Sequence, residues 1–226
     1  MTSFSQISLK DVTKIYHSDG LPVKALDTIS LHVEKGDFVV FAGPSGSGKS
    51  TLLHMVGALD QPNQGQVVVA GAHLDDLSSK ELAEFRLRKI GFVFQAYNLI
   101  PVLTAQENIE YPLLLQGIER QEREKRSLQL LERVGLLNQK KKRPGEMSGG
   151  QQQRVAVARA LASQPEIVLA DEPTANLDSQ TGASLIDLFR ELNEQFKTTF
   201  VFASHDPKVI ERARRVIRLL DGKVIL

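Results

Sequence analysis

Short runs of apolar, often β-branched residues alternate along this chain with amphipathic helical patterns. Four runs are almost continuously apolar, which is typical of strands covered on both faces of a sheet. They span residues 38–42, 90–94, 167–170 and 199–203. Because helical patterns separate them, we predict crossover connections and a parallel sheet of the α/β class.

The N-terminal part has a different pattern. Apolar and polar residues tend to alternate over residues 7–12, 29–33 and 67–70, which predicts a half-exposed antiparallel layer beside the main sheet. Strand signals are weak between about residues 97 and 161, where 122–134 forms an amphipathic helical pattern. Its apolar side carries Leu128, Leu131 and Val134, and Gly135 is its expected stop. We therefore expect a helical insertion between Gln95 and Pro165.

Local signals mark three further element boundaries. Ser78 and Glu81 have the spacing of a capping box that opens a helix. Asp206 followed by Pro207 predicts a helix cap and a first-turn proline. Asp221-Gly222 predicts a hairpin turn between residues 218–220 and 224–226.

Composition narrows the class of protein. A chain of 226 residues with 42% hydrophobic and 24% charged residues is typical of one globular domain with a sizeable core. Its formal net charge of +1 gives no reason to expect a nucleic-acid partner. The chain has no cysteine, which excludes disulfides, thiol catalysis and cysteine metal sites. We expect no signal peptide and no membrane span, because no suitable apolar stretch occurs.

Residues 43–50 match the pattern G-x-x-x-x-G-K-[ST] in full, between an apolar strand and a helical pattern. That context favours a phosphate site over an ordinary glycine loop, since glycines let backbone N–H groups turn towards an anion at a helix N-terminus. We expect Lys49 to reach the β- and γ-phosphates, Ser50 to ligate Mg²⁺ and Thr51 to contact the α-phosphate. The predicted nucleotide contacts from this segment are Gly43, Ser45, Gly46, Ser47, Gly48, Lys49, Ser50 and Thr51.

Two acids follow the apolar run 167–170, at the carboxyl end of a strand where ligands of open α/β sheets bind. We predict that Asp171 holds Mg²⁺, through water, and that Glu172 acts as the general base on the attacking water. A solvated acidic pair is the alternative, and the phosphate loop makes it the weaker one.

A second glycine-rich cradle, Ser148-Gly149-Gly150-Gln151, opens the predicted helix 151–162. One nucleotide has only one triphosphate tail, so a single chain has no obvious use for two cradles. We therefore predict that the second cradle serves a nucleotide held by another copy, in a homodimer.

These motifs resemble those of ATP-binding cassette (ABC) ATPases in kind and in order, over essentially the whole chain. The shared segments are the phosphate loop, Phe94-Gln95, Met147-Ser148-Gly149-Gly150-Gln151, Asp171-Glu172, Asn176-Leu177-Asp178 and Ser204-His205-Asp206. Met147 stands where the family usually has leucine. The resemblance implies a P-loop NTPase (RecA-like) core, with the antiparallel β subdomain, over 1–95 and 165–226. It places an inserted α-helical subdomain at about 96–164 of one nucleotide-binding domain, 1–226.

The resemblance also implies residue roles. ATP and Mg²⁺ are the implied cofactors, with Tyr16 stacking on adenine, Gln95 contacting Mg²⁺ and the attacking water, and His205 contacting the γ-phosphate. Catalysis is thus assigned to Lys49, Gln95, Glu172 and His205, and Mg²⁺ binding to Ser50, Gln95 and Asp171. Contacts to the partner's nucleotide are assigned to Ser148, Gly149, Gly150, Gln151 and Asp178.

Structural alternatives remain open for several of these residues. Tyr16 could pack at a strand edge, Gln95 could be a core-edge glutamine, and His205 could be a structural residue at a strand end. Ser148 and Asp178 could be plain helix caps. The run Lys140-Lys141-Lys142-Arg143 is either a solvated loop or a segment attracted to anionic lipid head groups.

Three classes of cassette protein compete: the ATPase of a membrane transporter or export machine, a soluble repair or translation protein, and a regulator without hydrolysis. Glu172 and His205 disfavour the last. Residues 97–109 are rich in apolar side chains that a small insertion can hardly bury alone, which suggests that a membrane permease docks there. The chain resembles the subfamily of lipoprotein-release and macrolide-export ATPases (LolD, MacB) and their cell-division relative FtsE. The alternative to a transport ATPase is therefore a cassette ATPase that partners a cell-division-type membrane protein without transport. The expected location is cytoplasmic, peripheral on the inner membrane through the permease.

Overall fold

The computed structural model describes residues 5–18 and 21–225, in two sheets with helices on both sides of the larger one. Its strands are β1 (Ser5–Ser18), β2 (Leu21–Glu34), β3 (Phe38–Ala42), β4 (Gln64–Val69), β5 (Ala72–His73), β6 (Ile90–Val93), β7 (Ile167–Asp171), β8 (Thr199–Ser204), β9 (Arg215–Leu220) and β10 (Lys223–Ile225). Its helices are α1 (Lys49–Val56), α2 (Ser79–Lys89), α3 (Ala105–Leu115), α4 (Arg120–Arg133), α5 (Gly149–Ala162), α6 (Ser179–Phe196) and α7 (Pro207–Glu211).

The central sheet has the order β10-β9-β3-β8-β7-β6. All its neighbouring pairs are parallel except β9 with β10, which form the hairpin predicted at Asp221-Gly222. Residue 226 of that hairpin lies outside the described residues. Since β3, β8 and β7 are adjacent, their carboxyl ends meet at one edge: Ala42 is opposite Ser204, and Asp171 is opposite Ala203.

Both faces of the central sheet are covered, as the continuously apolar runs predict. On one face an aromatic cluster of Phe38, Phe189, Phe200 and Phe202 packs beneath α6, with ring centroids 4.6 to 6.2 Å apart. On the other face Val39 and Phe41 pack with α1 and with the apolar side of the antiparallel sheet. Alternation along β3 thus sends successive side chains into two separate cores.

The antiparallel sheet has the order β2-β1-β4-β5. Its first two strands are much longer than the alternating segments 7–12 and 29–33 suggest. Register shifts around Val12 and Lys14 interrupt the alternation there, so the pattern of one buried face is lost although backbone pairing continues. This extension carries Tyr16, paired with Val23, to the far end of the sheet.

Helices α3, α4 and α5 fill the chain between β6 and β7 and share one core with the central sheet. The predicted apolar side of α4 is partly wrong. Leu130 and Leu131 are buried, whereas Leu128 is half-exposed, because the buried side is centred one position away from the predicted one. Gly135 has φ +72° directly after the helix, which suits its predicted role as the stop.

The predicted caps form as expected. Ser78 and Glu81 make a reciprocal capping box at the start of α2, and Asp206 accepts a hydrogen bond from the Lys208 amide at α7 (2.9 Å). The lysine run lies in an exposed turn, where the carbonyl of Lys142 accepts from the Ala105 amide (2.8 Å) and so helps to cap α3. Among the described residues, none of the helices has the length and apolar character needed to cross a membrane.

Candidate functional site

The phosphate loop joins the end of β3 to the start of α1, at the edge where the parallel strands end. Gly48 is the N-cap of α1 and has φ +98°. A Cβ atom there would lie 2.5 Å from the carbonyl oxygen of Ala25, so only glycine fits this position. The loop thereby presents the N-terminus of α1, with its free amides and partial positive charge, at the sheet edge.

Lys49 is buried at the first position of α1, and its ammonium donates to the carbonyl of Pro44 (2.8 Å). That bond folds the lysine side chain back over the loop, next to the position that the loop amides surround. An ammonium there can accompany a triphosphate as a point charge.

Ser50 and Asp171 meet across the edge between α1 and β7. The Ser50 hydroxyl donates to Oδ1 of Asp171 at 3.0 Å. Burial raises the pKa of Asp171, although the hydrogen bond from Ser50 opposes this effect. A hydroxyl beside a carboxylate is the oxygen donor set that Mg²⁺ prefers, with water and phosphate completing the shell. No cluster of three or more His, Asp or Glu side chains suited to a metal occurs in the described part of the chain.

Glu172 follows Asp171 and turns its carboxylate towards the end of β8. Its Oε1 lies 2.7 Å from Nδ1 of His205, and its Oε2 accepts from the Ser204 hydroxyl at 3.2 Å. The backbone of Glu172 is left-handed (φ +43°), an unfavourable conformation for this residue type, and its amide donates to the Ala203 carbonyl (2.9 Å). His205 is 65% exposed, so its ring borders both the carboxylate and the open cleft.

Gln95 lies on the exposed surface after β6, and its carbonyl accepts from the Asn176 side chain (3.0 Å). The following residues Tyr97 and Asn98 have left-handed backbones. Arg159 of α5 donates to both of their carbonyls, which ties this loop to α5. Burial lowers the pKa of Arg159.

Ser148 caps α5 in a reciprocal capping box with Gln151, as the structural alternative predicts. The bonds are 3.0 Å from the Ser148 amide to Oε1 of Gln151 and 3.3 Å from the Gln151 amide to the serine hydroxyl. Added Cβ atoms at Gly149 and Gly150 would first meet Tyr97 (2.7 Å) and Thr181 (2.6 Å). The closest surroundings of this cradle are therefore the glutamine loop and α6, and not the phosphate loop.

Tyr16 extends from β1 with 39% of the residue exposed. Its hydroxyl donates to Oδ2 of Asp60 (2.7 Å). Burial and the hydrogen bond to Asp60 raise the pKa of Tyr16 to about 12. Tyr16 is a strand residue with an exposed ring. This geometry fits both stacking on adenine and packing at a strand edge.

Asp178 caps α6, where its carboxylate accepts from the amides of Gln180 and Thr181, both at 3.0 Å. The hydrogen bonds from Thr181 lower the pKa of Asp178. Asp178 therefore acts as a helix cap. Because it is exposed, this role does not conflict with a contact between Asp178 and a second chain.

Comparison with known proteins decides the family. A model of the family described as ABC transporter matches residues 26–175. The chain belongs to the ABC transporter family. This ABC ATPase is 46% identical over 219 residues to the macrolide export ATP-binding/permease protein MacB of Hyphomonas neptunium, covering 97% of the chain and 34% of that protein. It is 43% identical over 216 residues to the lipoprotein-releasing system ATP-binding protein LolD of Shewanella sp. strain MR-4, covering 96% and 94%.

A solved structure, described as a dimeric post-hydrolysis state of the ATP-binding cassette MJ0796 bound to ADP and Pi, is also similar. It superposes with a TM-score of 0.90 at 45% identity, over 97% of both chains. The predicted P-loop NTPase fold, the ATPase activity and the subfamily resemblance are therefore confirmed. Against MacB the chain spans about a third of the length.

Three further residues contact segments of the candidate site and carry no recognisable signal in the sequence. Asp60 lies in the loop after α1 and holds Tyr16, which is 44 positions away. Gln153 is fully buried in α5 and donates to the carbonyl of Pro173 (2.9 Å). Arg159 holds the glutamine loop from the same helix. Gln153 stands among two other glutamines at the start of α5, and nothing in the sequence distinguishes it from them as the buried one.

Proposed function

We propose that this ABC ATPase works as a head-to-tail homodimer that closes on two MgATP and opens after hydrolysis. It drives a membrane permease of an export or lipoprotein-release system. The observation that carries the proposal is the separation of the two cradles. Ser148 and its glycines border Tyr97 and Thr181, while Lys49 and the glycine loop stand at the edge formed by β3, β7 and β8. The dimeric MJ0796 cassette gives further support.

In each composite site, one chain supplies most of the chemistry. Its loop amides and Lys49 hold the phosphates, and Tyr16 stacks on the adenine. Ser50, Gln95 and, through water, Asp171 would hold Mg²⁺, and the ion would neutralise phosphate charge. Glu172 accepts the proton of the attacking water, and His205 fixes Glu172 and contacts the γ-phosphate. The partner contributes Ser148, Gly149, Gly150 and Gln151 to that γ-phosphate, with Asp178 at the interface.

Mixed dimers test the shared site. Lys49→Ala disables the phosphate loop, and Ser148→Arg blocks the second cradle. In a dimer with one chain of each kind, one site has both defects and the other has none. Activity should therefore return on mixing, although each variant alone is inactive. A site built within one chain predicts no recovery. A mixture of two Lys49→Ala preparations carrying different tags is the matched control.

The permease is proposed to dock in an apolar groove of about 440 Å³ between α2, α3 and α5. The groove is lined by Ile100, Tyr111, Leu115 and Arg159, among others. Residues 97–109 contribute to it less than their composition suggests, because Ala105 and Ile109 are buried in the core. The exposed apolar residues lie further along, as with Leu115, which is 56% exposed. Because Arg159 holds the glutamine loop, an occupant of this groove would be close to the catalytic edge.

The groove can be tested without identifying the cargo. Leu115→Glu should leave the ATPase activity of the isolated chain unchanged and abolish co-purification with a co-expressed permease of the MacB or LolD-partner type. Val102→Glu is the control, since Val102 is 70% exposed but does not line the groove. Retention of the permease by Leu115→Glu would contradict this docking site. The proposed location is the cytoplasmic face of the inner membrane, reached through that permease.

A further inference from the structure

We propose that Lys14 and Asp60 are positioning residues for the nucleotide base: together they fix the ring of Tyr16 and leave one of its faces open for stacking. This inference rests on the proposed role of Tyr16 in binding adenine. Neither residue is expected to touch the phosphates or the reacting water.

The three side chains form a closed set of contacts. The two oxygens of the Asp60 carboxylate have different partners: Oδ2 accepts from the Tyr16 hydroxyl (2.7 Å), and Oδ1 accepts from the Lys14 ammonium (2.6 Å). Lys14 donates a second bond, to the carbonyl of Gln61 (2.7 Å). Burial alone would raise the pKa of Asp60, yet hydrogen bonds from Lys14 and Tyr16 hold it below the ordinary value. The carboxylate is thus kept ionised between its partners.

Lys14 also determines which face of the Tyr16 ring is available. Its ammonium lies over the ring, 5.0 Å from the centroid, within the range of a cation–π contact. The Lys14 side chain is only 12% exposed, so the cation is held in place. With one face covered by a cation, a base can stack only on the other. The cation also draws electron density from the ring, which favours stacking of an electron-rich purine on the open face.

The anchor of Tyr16 is connected to the phosphate loop through one short helix. Lys49 and Ser50 begin α1, and Asp60 follows its end at Val56. Tyr16 also forms a hydrogen bond with the side chain of Thr51, the residue after Ser50, so its ring is held beside the start of the same helix. An unanchored Tyr16 would have to be ordered by the nucleotide itself, which reduces affinity for the base and leaves the phosphate contacts unchanged.

A purely structural role of Asp60 predicts a different result. Its Oδ1 also accepts from the Gln61 amide (2.8 Å), and nearby Asn63 accepts from the Ile15 amide (2.7 Å). If Asp60 served only to hold this loop to β1, its loss would disturb the end of α1 as a whole. Binding of a ligand without a base would then fall together with binding of ATP.

Isothermal titration of the full chain with MgATP and with magnesium tripolyphosphate, which lacks base and sugar, separates these cases. Asp60→Ala should raise the Kd of MgATP roughly 2- to 10-fold, because binding must then order the side chain of Tyr16. The Kd of magnesium tripolyphosphate should be unchanged. Tyr16→Phe keeps the ring and loses the anchor, so it should match Asp60→Ala. The double variant should be no weaker than either. Asp187→Ala, which removes an exposed acid paired with Arg212, is the matched control.

Equal weakening of both ligands by Asp60→Ala and Tyr16→Phe, or no weakening of either, would overturn the proposal. Tyr16→Ala tests the underlying role separately. It should weaken MgATP roughly 5- to 150-fold if the ring stacks on adenine. No effect of Tyr16→Ala would refute adenine stacking itself. A strong effect of Tyr16→Ala without any effect of Asp60→Ala and Tyr16→Phe would refute only the positioning by Asp60 and Lys14.

Discussion

The imidazole of His205 lies against the carboxylate of Glu172, with Nδ1 2.7 Å from Oε1. The other carboxylate oxygen accepts from the Ser204 hydroxyl at 3.2 Å. Both contacts come from the end of β8, which is the strand next to β7 in the sheet. The left-handed backbone of Glu172 sends the side chain towards these partners. The acid proposed as the general base is therefore fixed on both oxygens.

Glu172→Gln should abolish most turnover without loss of MgATP binding. The amide has the same shape and can still accept from Ser204, but it cannot take a proton from water. We expect kcat to fall by about 10² to 10⁴, the usual contribution of a general base. Because ATP then persists, the proposed dimer should accumulate. Phosphate release and light scattering after gel filtration, each with MgATP, measure the two effects.

Glu211→Gln, on the exposed surface of α7, is the control for that experiment. A Glu172→Gln protein that turns over at nearly the wild-type rate would exclude Glu172 as the base. One that binds MgATP but elutes only as a monomer would instead argue against dimer closure.

Asp171→Asn should have opposite effects on the stability of the nucleotide-free protein and on Mg²⁺ binding. Burial raises the pKa of Asp171, so the folded state binds its proton more tightly than the unfolded state does. The contribution of this group to stability is therefore present at low pH and lost as pH rises through its folded pKa. Near neutral pH the ionised carboxylate therefore lowers the free energy of unfolding. Its replacement by a neutral amide should raise the Tm of the nucleotide-free protein or leave it unchanged.

The same substitution should weaken the further rise in Tm that MgATP produces, because a charged metal ligand is lost. Thermal unfolding of both proteins from pH 4 to pH 8, with and without MgATP, checks both parts. The advantage of Asp171→Asn without nucleotide should grow with pH. A wild-type protein that gains stability relative to the variant over that range would contradict the assignment.

The parts of the candidate site that depend on local chemistry could be predicted from the sequence. The loop 43–50, the acids after β7 and the caps at Ser148 and Asp178 are each encoded by neighbouring residues, so their types and spacing are sufficient. The parallel strands were predictable because burial on both faces leaves continuous apolar runs. Leu128 shows the limit of periodicity, since a shift of the buried side by one position exchanges it for Ser127, which is fully buried.

Contacts between distant segments left no such pattern. Tyr16 and Asp60 are 44 positions apart. The residues around a tyrosine near a strand end do not show whether a distant acid accepts a hydrogen bond from its hydroxyl. The length of β1 was missed for a related reason, because its register shifts remove the alternation that marks a strand. Such features depend on how separate elements pack, which one sequence does not specify locally.

Gln153→Leu should reduce both stability and turnover. The Gln153 amide is fully buried and donates to the carbonyls of Pro173 (2.9 Å) and Phe94 (3.5 Å). It thus joins α5 to the residues that follow Glu172 and precede Gln95. Leucine leaves those carbonyls without this donor, at a cost of about 1–3 kcal/mol. Urea unfolding gives the free energy, and phosphate release gives kcat. Gln152→Leu, at a half-exposed position on the same helix, should have a much smaller effect on both.

Gly48→Ala and Gly46→Ala form a matched pair that separates backbone strain from steric overlap. Both glycines have left-handed backbones, with φ +98° and +79°. An added Cβ at Gly48 would lie 2.5 Å from the Ala25 carbonyl oxygen, whereas at Gly46 it would meet no atom within 4 Å. Gly46→Ala should therefore cost only the left-handed penalty, about 1–2 kcal/mol of unfolding free energy. Gly48→Ala should cost roughly 1–3 kcal/mol more, because β2 or the loop must move to admit the methyl group. Urea unfolding of the nucleotide-free proteins measures the difference. Equal losses for the two variants would show that the loop adapts to a side chain at its last glycine, and that close packing against β2 does not hold the phosphate loop in place.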